Sequence, residues 1–144
     1  MKSESSLKIF LVDDDAVFLK FLELEFLHHP EFIIETYATG ELCMASILHN
    51  PDVIVLDYNL DGMNKNAMNG IETLHKIKQY NPNIQVIVLS QQEAIDVAIN
   101  AIQYKAIDYV VKGENAFSRI KKIITTILNF KNIEKSQNWY TGAA

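Results

Sequence analysis

Six side chains in this sequence are of types that act together on metal ions and phosphate: Asp13, Asp14 and Asp15 in one run, then Asp57, Ser90 and Lys112 far apart from one another. Each run or single residue directly follows a short apolar stretch. Two carboxylates held about 5 Å apart repel by roughly 3 kcal/mol at an effective dielectric near 20, so gathering several of them requires compensation. A divalent cation supplies it. Oxygen-only ligands from Asp13, Asp14 and Asp57, with no histidine or cysteine in the motif, suit a hard ion such as Mg2+ that keeps several waters. A carboxylate held ionised is a competent nucleophile toward phosphorus, and Asp57 is the candidate. The Lys112 ammonium would then share the charge on the transferring oxygens, with Ser90 donating a hydrogen bond.

Each residue also has a plainer reading. Asp15 fits a helix cap, and Ser90-Gln91-Gln92-Glu93 matches a capping box, so that Ser90 alone reads as a cap. Lys112 alone would be a solvated cation. Asp57 resists such a reading, because it ends four apolar residues of a central strand where an unpaired charge is costly.

The elements that would position these groups follow from periodicity. Runs rich in β-branched residues at Leu7 to Val12, Ile33 to Tyr37, Val53 to Asp57, Ile84 to Leu89 and Tyr109 to Val111 predict five strands. Helical spacing lies between them, as in Phe18, Phe21, Leu22, Leu24 and Phe26, then Ile71, Leu74 and Ile77, and Phe117, Ile120, Ile124, Ile127 and Leu128. Five strands thus alternate with five helices. Val53 to Leu56 and Val86 to Leu89 are apolar without a break, as parallel strands covered on both faces are, which predicts an α/β three-layer sandwich with a doubly wound sheet. Breaks are expected at His29-Pro30, Asn50-Pro51-Asp52 and Asn81-Pro82-Asn83. In open sheets of this kind ligands bind beyond the carboxyl ends of the strands, the rim where all four polar positions fall.

Composition narrows the function. The 144 residues suit one domain, and 13 basic against 18 acidic residues give a net charge of -5 with no basic run, which argues against direct contact with nucleic acid. Met1 to Ser6 lack a signal peptide's apolar core and no stretch reaches the roughly 20 apolar residues of a membrane span, so a cytoplasmic protein is expected. Cys43 is the single cysteine, which excludes an internal disulfide and reads as a small buried residue. Histidines 28, 29, 49 and 75 show no ligand spacing. From Lys131 to Ala144 the apolar period is lost, so residues 1–130 are expected to form the domain and 131–144 a frayed tail or linker.

Phe10-Leu11-Val12-Asp13-Asp14-Asp15, Val53-Ile54-Val55-Leu56-Asp57, Met68-Asn69-Gly70, Val88-Leu89-Ser90 and Asp108-Tyr109-Val110-Val111-Lys112 together resemble the receiver domains of two-component response regulators, across about residues 7 to 130. The resemblance implies a flavodoxin-like strand order 2-1-3-4-5. It implies phosphorylation of Asp57 by a histidine kinase or phosphotransfer protein, reversed by hydrolysis. It further implies Mg2+ held by Asp13, Asp14 and Asp57 with the Asn59 backbone carbonyl. Ser90 and Tyr109 would act as the switch that alters the surface of the fourth helix, fifth strand and fifth helix, through which a homodimer could form. Three departures stand out. The loop Tyr58 to Asn69 is longer than the family's usual connection, Gly113 replaces the common proline after the lysine and so leaves the placement of Lys112 open, and Gln91 stands where a small residue is usual.

Two other readings remain open on sequence. Asp13-Asp14-Asp15-Ala16-Val17 also resembles the motif of haloacid dehalogenase-like phosphatases, with Asp13 as nucleophile. A degenerate receiver that binds partners without phosphorylation is the other; a flavin-binding module is disfavoured because three aspartates would repel phosphate.

Overall fold

A computed structural model describes residues 6–62, 65–91 and 93–142, with side chains through residue 136. Its elements run β1 (Leu7–Val12), α1 (Ala16–Phe26), β2 (Phe32–Tyr37), α2 (Gly40–Ala45), a 3-10 turn (Ile47–His49), β3 (Val53–Asp57), α3 (Gly70–Tyr80), β4 (Gln85–Ser90), α4 (Ile95–Gln103), β5 (Asp108–Val111) and α5 (Ala116–Gly142). All sheet pairs are parallel in the order β2-β1-β3-β4-β5, the expected doubly wound topology. The three prolines fall between elements, where their exclusion of helical geometry from the preceding residue ends each segment.

Side-chain alternation along the strands splits the core into two layers. Leu7, Ile9, Leu11, Val53, Val55, Ile87, Leu89 and Val110 pack with Leu22 and Phe26 of α1 and Ile120 and Ile124 of α5. Phe10, Val12, Ile54, Leu56, Val86 and Val88 pack with Cys43 of α2, Leu74 and Ile77 of α3, and Val97 and Ala101 of α4. Cys43 is fully buried and its thiol is pushed up to about 12 by burial, in keeping with its structural reading. None of the described helices is long and apolar enough to cross a membrane.

Two local readings change. Ser90 is the last residue of β4, and α4 begins at Ile95 behind Ala94, which offers no side-chain cap; Ser90 is therefore not the helix cap its sequence context matches. Gln92 of that tetrapeptide lies outside the described residues. The end expected to fray instead continues α5 as helix to Gly142. No glycine or proline interrupts residues 116–141, and Lys131 Nζ donates to the Ser6 carbonyl at 3.0 Å while lying 3.4 Å from Asp52 Oδ2, which ties the extension to the base of the sheet. In the long loop, Leu60 is buried in the core and Met68 N–H donates to Glu41 Oε2 of α2 at 2.7 Å, while residues 63 and 64 lie outside the described residues.

The loop returns to the sheet at Gly70, the first residue of α3. A Cβ there would stand 2.5 Å from the Asp57 carbonyl oxygen and 2.7 Å from Tyr58 Cα, both backbone atoms. Gly70→Ala is expected to lower stability by about 2 kcal/mol, because backbone must shift to admit the methyl. Thermal or urea unfolding measures this, and wild-type stability in the variant would show that the packing is looser than described.

Candidate functional site

Strand register brings the distant residues together before any side-chain contact is considered. Val12 pairs with Leu56, so Asp13 and Asp57 follow on adjacent strands at the same level. Asp57 pairs with Leu89 and Ser90 with Val111, so Ser90 and Lys112 lie one step beyond on β4 and after β5. Alternation then sorts them: Asp13, Asp57 and Lys112 continue the face that carries α1 and α5, whereas Ser90 and Tyr109 continue the face that carries α3 and α4.

Asp13 and Asp57 are buried, at 1% and 2% exposure, and Asp14 is partly buried. One carboxylate oxygen from each of the three lies within 4.8 Å of the others. Lys112 Nζ sits 2.8 Å from Asp13 Oδ2 and 3.6 Å from Asp57 Oδ1, over the Phe18 ring at 5.0 Å. Burial disfavours its ammonium, but the carboxylates of Asp13, Asp57 and Asp15 outweigh burial and raise its pKa. Gly113 does not draw Lys112 away. Its φ of +157° is closed to proline, and the lysine still reaches both carboxylates.

Asp57 carries the cost of the cluster. Burial, with the Asp13 carboxylate adding to it, pushes its carboxyl up to about 7 against the opposing pull of Lys112 and the Asn59 N–H, which donates to Asp57 Oδ1 at 3.3 Å. Asp15 turns away from the group to cap α1, accepting from Val17 N–H and Phe18 N–H at 3.1 Å each, as its plainer reading anticipated.

The donor set fits a hard cation. Asp14 Oδ2 is buried without a hydrogen-bond partner, and Asp13 Oδ2 has no hydrogen bond beyond its ion pair with Lys112. A Cβ placed on Gly62 would stand 3.5 Å from both Asp14 Oδ2 and the Asn59 carbonyl oxygen, so these two oxygens flank the same space beside the glycine. Lone pairs left unsatisfied at a buried site are what a cation-binding arrangement provides for. Gln91 is exposed and lines a shallow cavity of about 590 Å3 with Val17, Phe18, Phe21 and Lys112. Tyr109 is half-buried against the α3 and α4 layer.

The family described as response regulator receiver domain matches residues 9–125 of this sequence. The chain belongs to that family. Among curated relatives, the receiver shares 33% identity over 116 residues with a protein-glutamate methylesterase/protein-glutamine glutaminase of Geobacillus kaustophilus, covering 78% of this chain and 32% of that protein. It shares 31% identity over 121 residues with the response regulator ArlR of Staphylococcus aureus, covering 81% of this chain and 52% of that protein. The chain therefore spans about half or less of the length of these relatives. Among solved structures, the signal receiver domain of a Luxo repressor protein from Vibrio parahaemolyticus superposes with a TM-score of 0.77 at 26% identity, over 90% of this chain and 95% of that one. A CheY-like receiver domain from Methanospirillum hungatei, at 23% identity, shares the fold with a TM-score of 0.74 over 90% of this chain and 99% of that one.

The receiver assignment removes the phosphatase alternative. Asp13, its nucleophile, has Oδ1 accepting the Asp15 N–H at 2.9 Å and Oδ2 paired with Lys112. Sequence reading singled out every member of the acidic cluster but missed Tyr58, whose hydroxyl accepts from Asn100 of α4 at 3.2 Å. Its position directly after Asp57 was the available signal.

Asp57 ionises in the unfolded chain near pH 4 and in the fold near 7, so between these values the folded protein binds the extra proton and stability falls as pH rises. Asp57→Asn is thus expected to stabilise the cation-free protein by about 2–4 kcal/mol at pH 8, with the gain shrinking to near zero by pH 4. Thermal unfolding across that range checks it; a gain independent of pH would show that the Asp57 charge is not its source.

Proposed function

We propose that this receiver is an active phosphorylation switch in which Asp57 takes a phosphoryl group from a histidine kinase or phosphotransfer protein, the partner class of its family. The observation that carries the reading is a buried carboxylate at the end of β3, facing a lysine and two further carboxylates, of which Asp14 keeps a buried oxygen without a hydrogen-bond partner. An Asp57 oxygen forms the new bond to phosphorus as the bond to the donor breaks, and Lys112 offsets charge on the equatorial oxygens. Asp13, Asp14, Asp57 and the Asn59 carbonyl would hold Mg2+, which supplies charge neutralisation and keeps Asp57 ionised at neutral pH. Hydrolysis of the aspartyl phosphate resets the switch.

Ser90 is assigned as the residue that binds the phosphoryl group, and Tyr109 as the side chain that follows it inward; their common face supports the pairing. The added charge and acceptor oxygens bias that pair toward a second arrangement. The output face is α4, β5 and α5, where Ile95 is 80% and Ile102 72% exposed, and a homodimer through it is the proposed assembly. The proposed compartment is the cytoplasm. Residues 1–130 are taken as the receiver and 131–144 as a tail or linker, supported by a family match that ends at residue 125.

Incubation with acetyl phosphate and Mg2+ is expected to add one phosphoryl mass to the intact protein and none to Asp57→Asn. An adduct surviving that substitution would move the acceptor elsewhere, and no adduct on wild type would favour the degenerate receiver. Gln91 stands over the cavity beside Lys112, so Gln91→Ala is expected to speed modification by acetyl phosphate about three- to tenfold, an effect on the scale of one relieved contact. The same mass assay reads it, and an unchanged rate would show that Gln91 does not limit access.

A further inference from the structure

Tyr58 and Asn100 make a contact that none of the roles above uses. Tyr58 is held firmly by its backbone: its N–H donates to the Leu89 carbonyl of β4 at 2.9 Å, and its carbonyl accepts from Gly70 N–H of α3 at 3.1 Å. Its ring packs on the α3 and α4 layer, the face that also carries Ser90 and Tyr109. From there the hydroxyl accepts the hydrogen bond of Asn100 Nδ2, at 3.2 Å across 42 residues of sequence.

The other partner sits on a weakly anchored helix. Ala94 offers α4 no side-chain cap, and the helix buries Val97 and Ala101 while Ile95, Ile99 and Ile102 face outward. A largely polar cleft of about 400 Å3, its lining including Tyr58, Asn59, Asp61, Asn100 and Tyr104, lies between α4 and the loop after Asp57. A hydrogen bond between a fixed group and a loosely packed helix restrains the helix.

We propose that the hydrogen bond from Asn100 to Tyr58 latches α4 against the acceptor loop in the unmodified receiver, making Tyr58 a positioning residue that sets how readily Asp57 is phosphorylated. This rests on the reading of Asp57 as acceptor. Residues 91–94 connect Ser90 to α4, so drawing Ser90 toward a phosphoryl group pulls the start of the helix. Tyr58, pinned to β4 and α3, cannot follow. The bond therefore favours the resting arrangement, and its removal favours the arrangement that accepts phosphate, which a small donor selects from the population.

Tyr58→Phe keeps the ring and removes the acceptor oxygen. It is expected to speed amide hydrogen exchange across residues 95–103 of the unmodified protein and to raise the rate of modification by acetyl phosphate about three- to tenfold, the scale of one neutral hydrogen bond. General damage to the fold would slow that rate, and an equal Mg2+-induced thermal shift in both proteins shows the acidic site intact. In an Asn100→Ala background, Tyr58→Phe is expected to have no further effect; the helix preference of alanine is common to both members of that comparison and cancels. Unchanged α4 exchange, or a full effect of Tyr58→Phe in the Asn100→Ala background, would overturn the latch itself. Faster exchange without an adduct on wild type or any variant would instead overturn the acceptor reading, and with it the link to phosphorylation.

Discussion

Repulsion among three carboxylates crowded at the end of a parallel sheet is the constraint on which this structure turns. Burial removes the water that would screen Asp13 and Asp57, and Lys112 supplies one positive charge against them at 2.8 and 3.6 Å. One cation does not balance three anions. The pKa of Asp57, raised by burial with the Asp13 carboxylate adding to it, and the buried Asp14 oxygen without a hydrogen-bond partner both reflect that deficit. Either a proton or a metal ion can fill it, and the metal leaves Asp57 ionised and nucleophilic while the proton does not. The site is thus less stable than a neutral rim would be, and the proposed role of Asp57 as acceptor draws on that tension.

The surrounding architecture holds the groups close while keeping two tasks apart. Parallel register fixes Asp13, Asp57 and Lys112 on the face covered by α1 and α5. The same alternation sends Ser90, Tyr109 and Tyr58 toward α3 and α4. The two faces meet at the end of β4, which leads directly from Ser90 into the segment before α4. Gly70 packs closely on the backbone of Asp57 and Tyr58, whereas α4 has no side-chain cap at its N-terminus and buries Val97 and Ala101. A closely packed strand end beside a lightly buried helix is an arrangement in which a local charge change has a defined place to act.

Much of this was legible in the residues. Runs rich in β-branched residues marked the number of strands, unbroken apolar stretches their parallel character, proline the breaks, and polar residues at the run ends the rim. These are local or periodic properties, set by backbone sterics and by which faces must be buried. The capping role of Asp15 and the burial of Cys43 were readable for the same reason.

Contacts across long stretches of chain were decided by tertiary structure alone. Ser90 matched a helix cap because a serine followed by a glutamate three residues on carries no record of whether a strand still occupies it; pairing with Val111 of β5 settles the matter. α5 continues past residue 130 because Lys131 finds Ser6 and Asp52, residues 125 and 79 positions away. Lys112 keeps its place despite Gly113 because its partners lie on other strands, and the hydroxyl of Tyr58 finds Asn100 only once α4 is laid over the sheet. Sequence alone determined the elements and the kind of chemistry at their ends, since both follow from local pattern and residue type. Which oxygens face one another, and which helix is left loosely held, depended on strand register and layer packing, quantities that exist only when distant segments have been brought together.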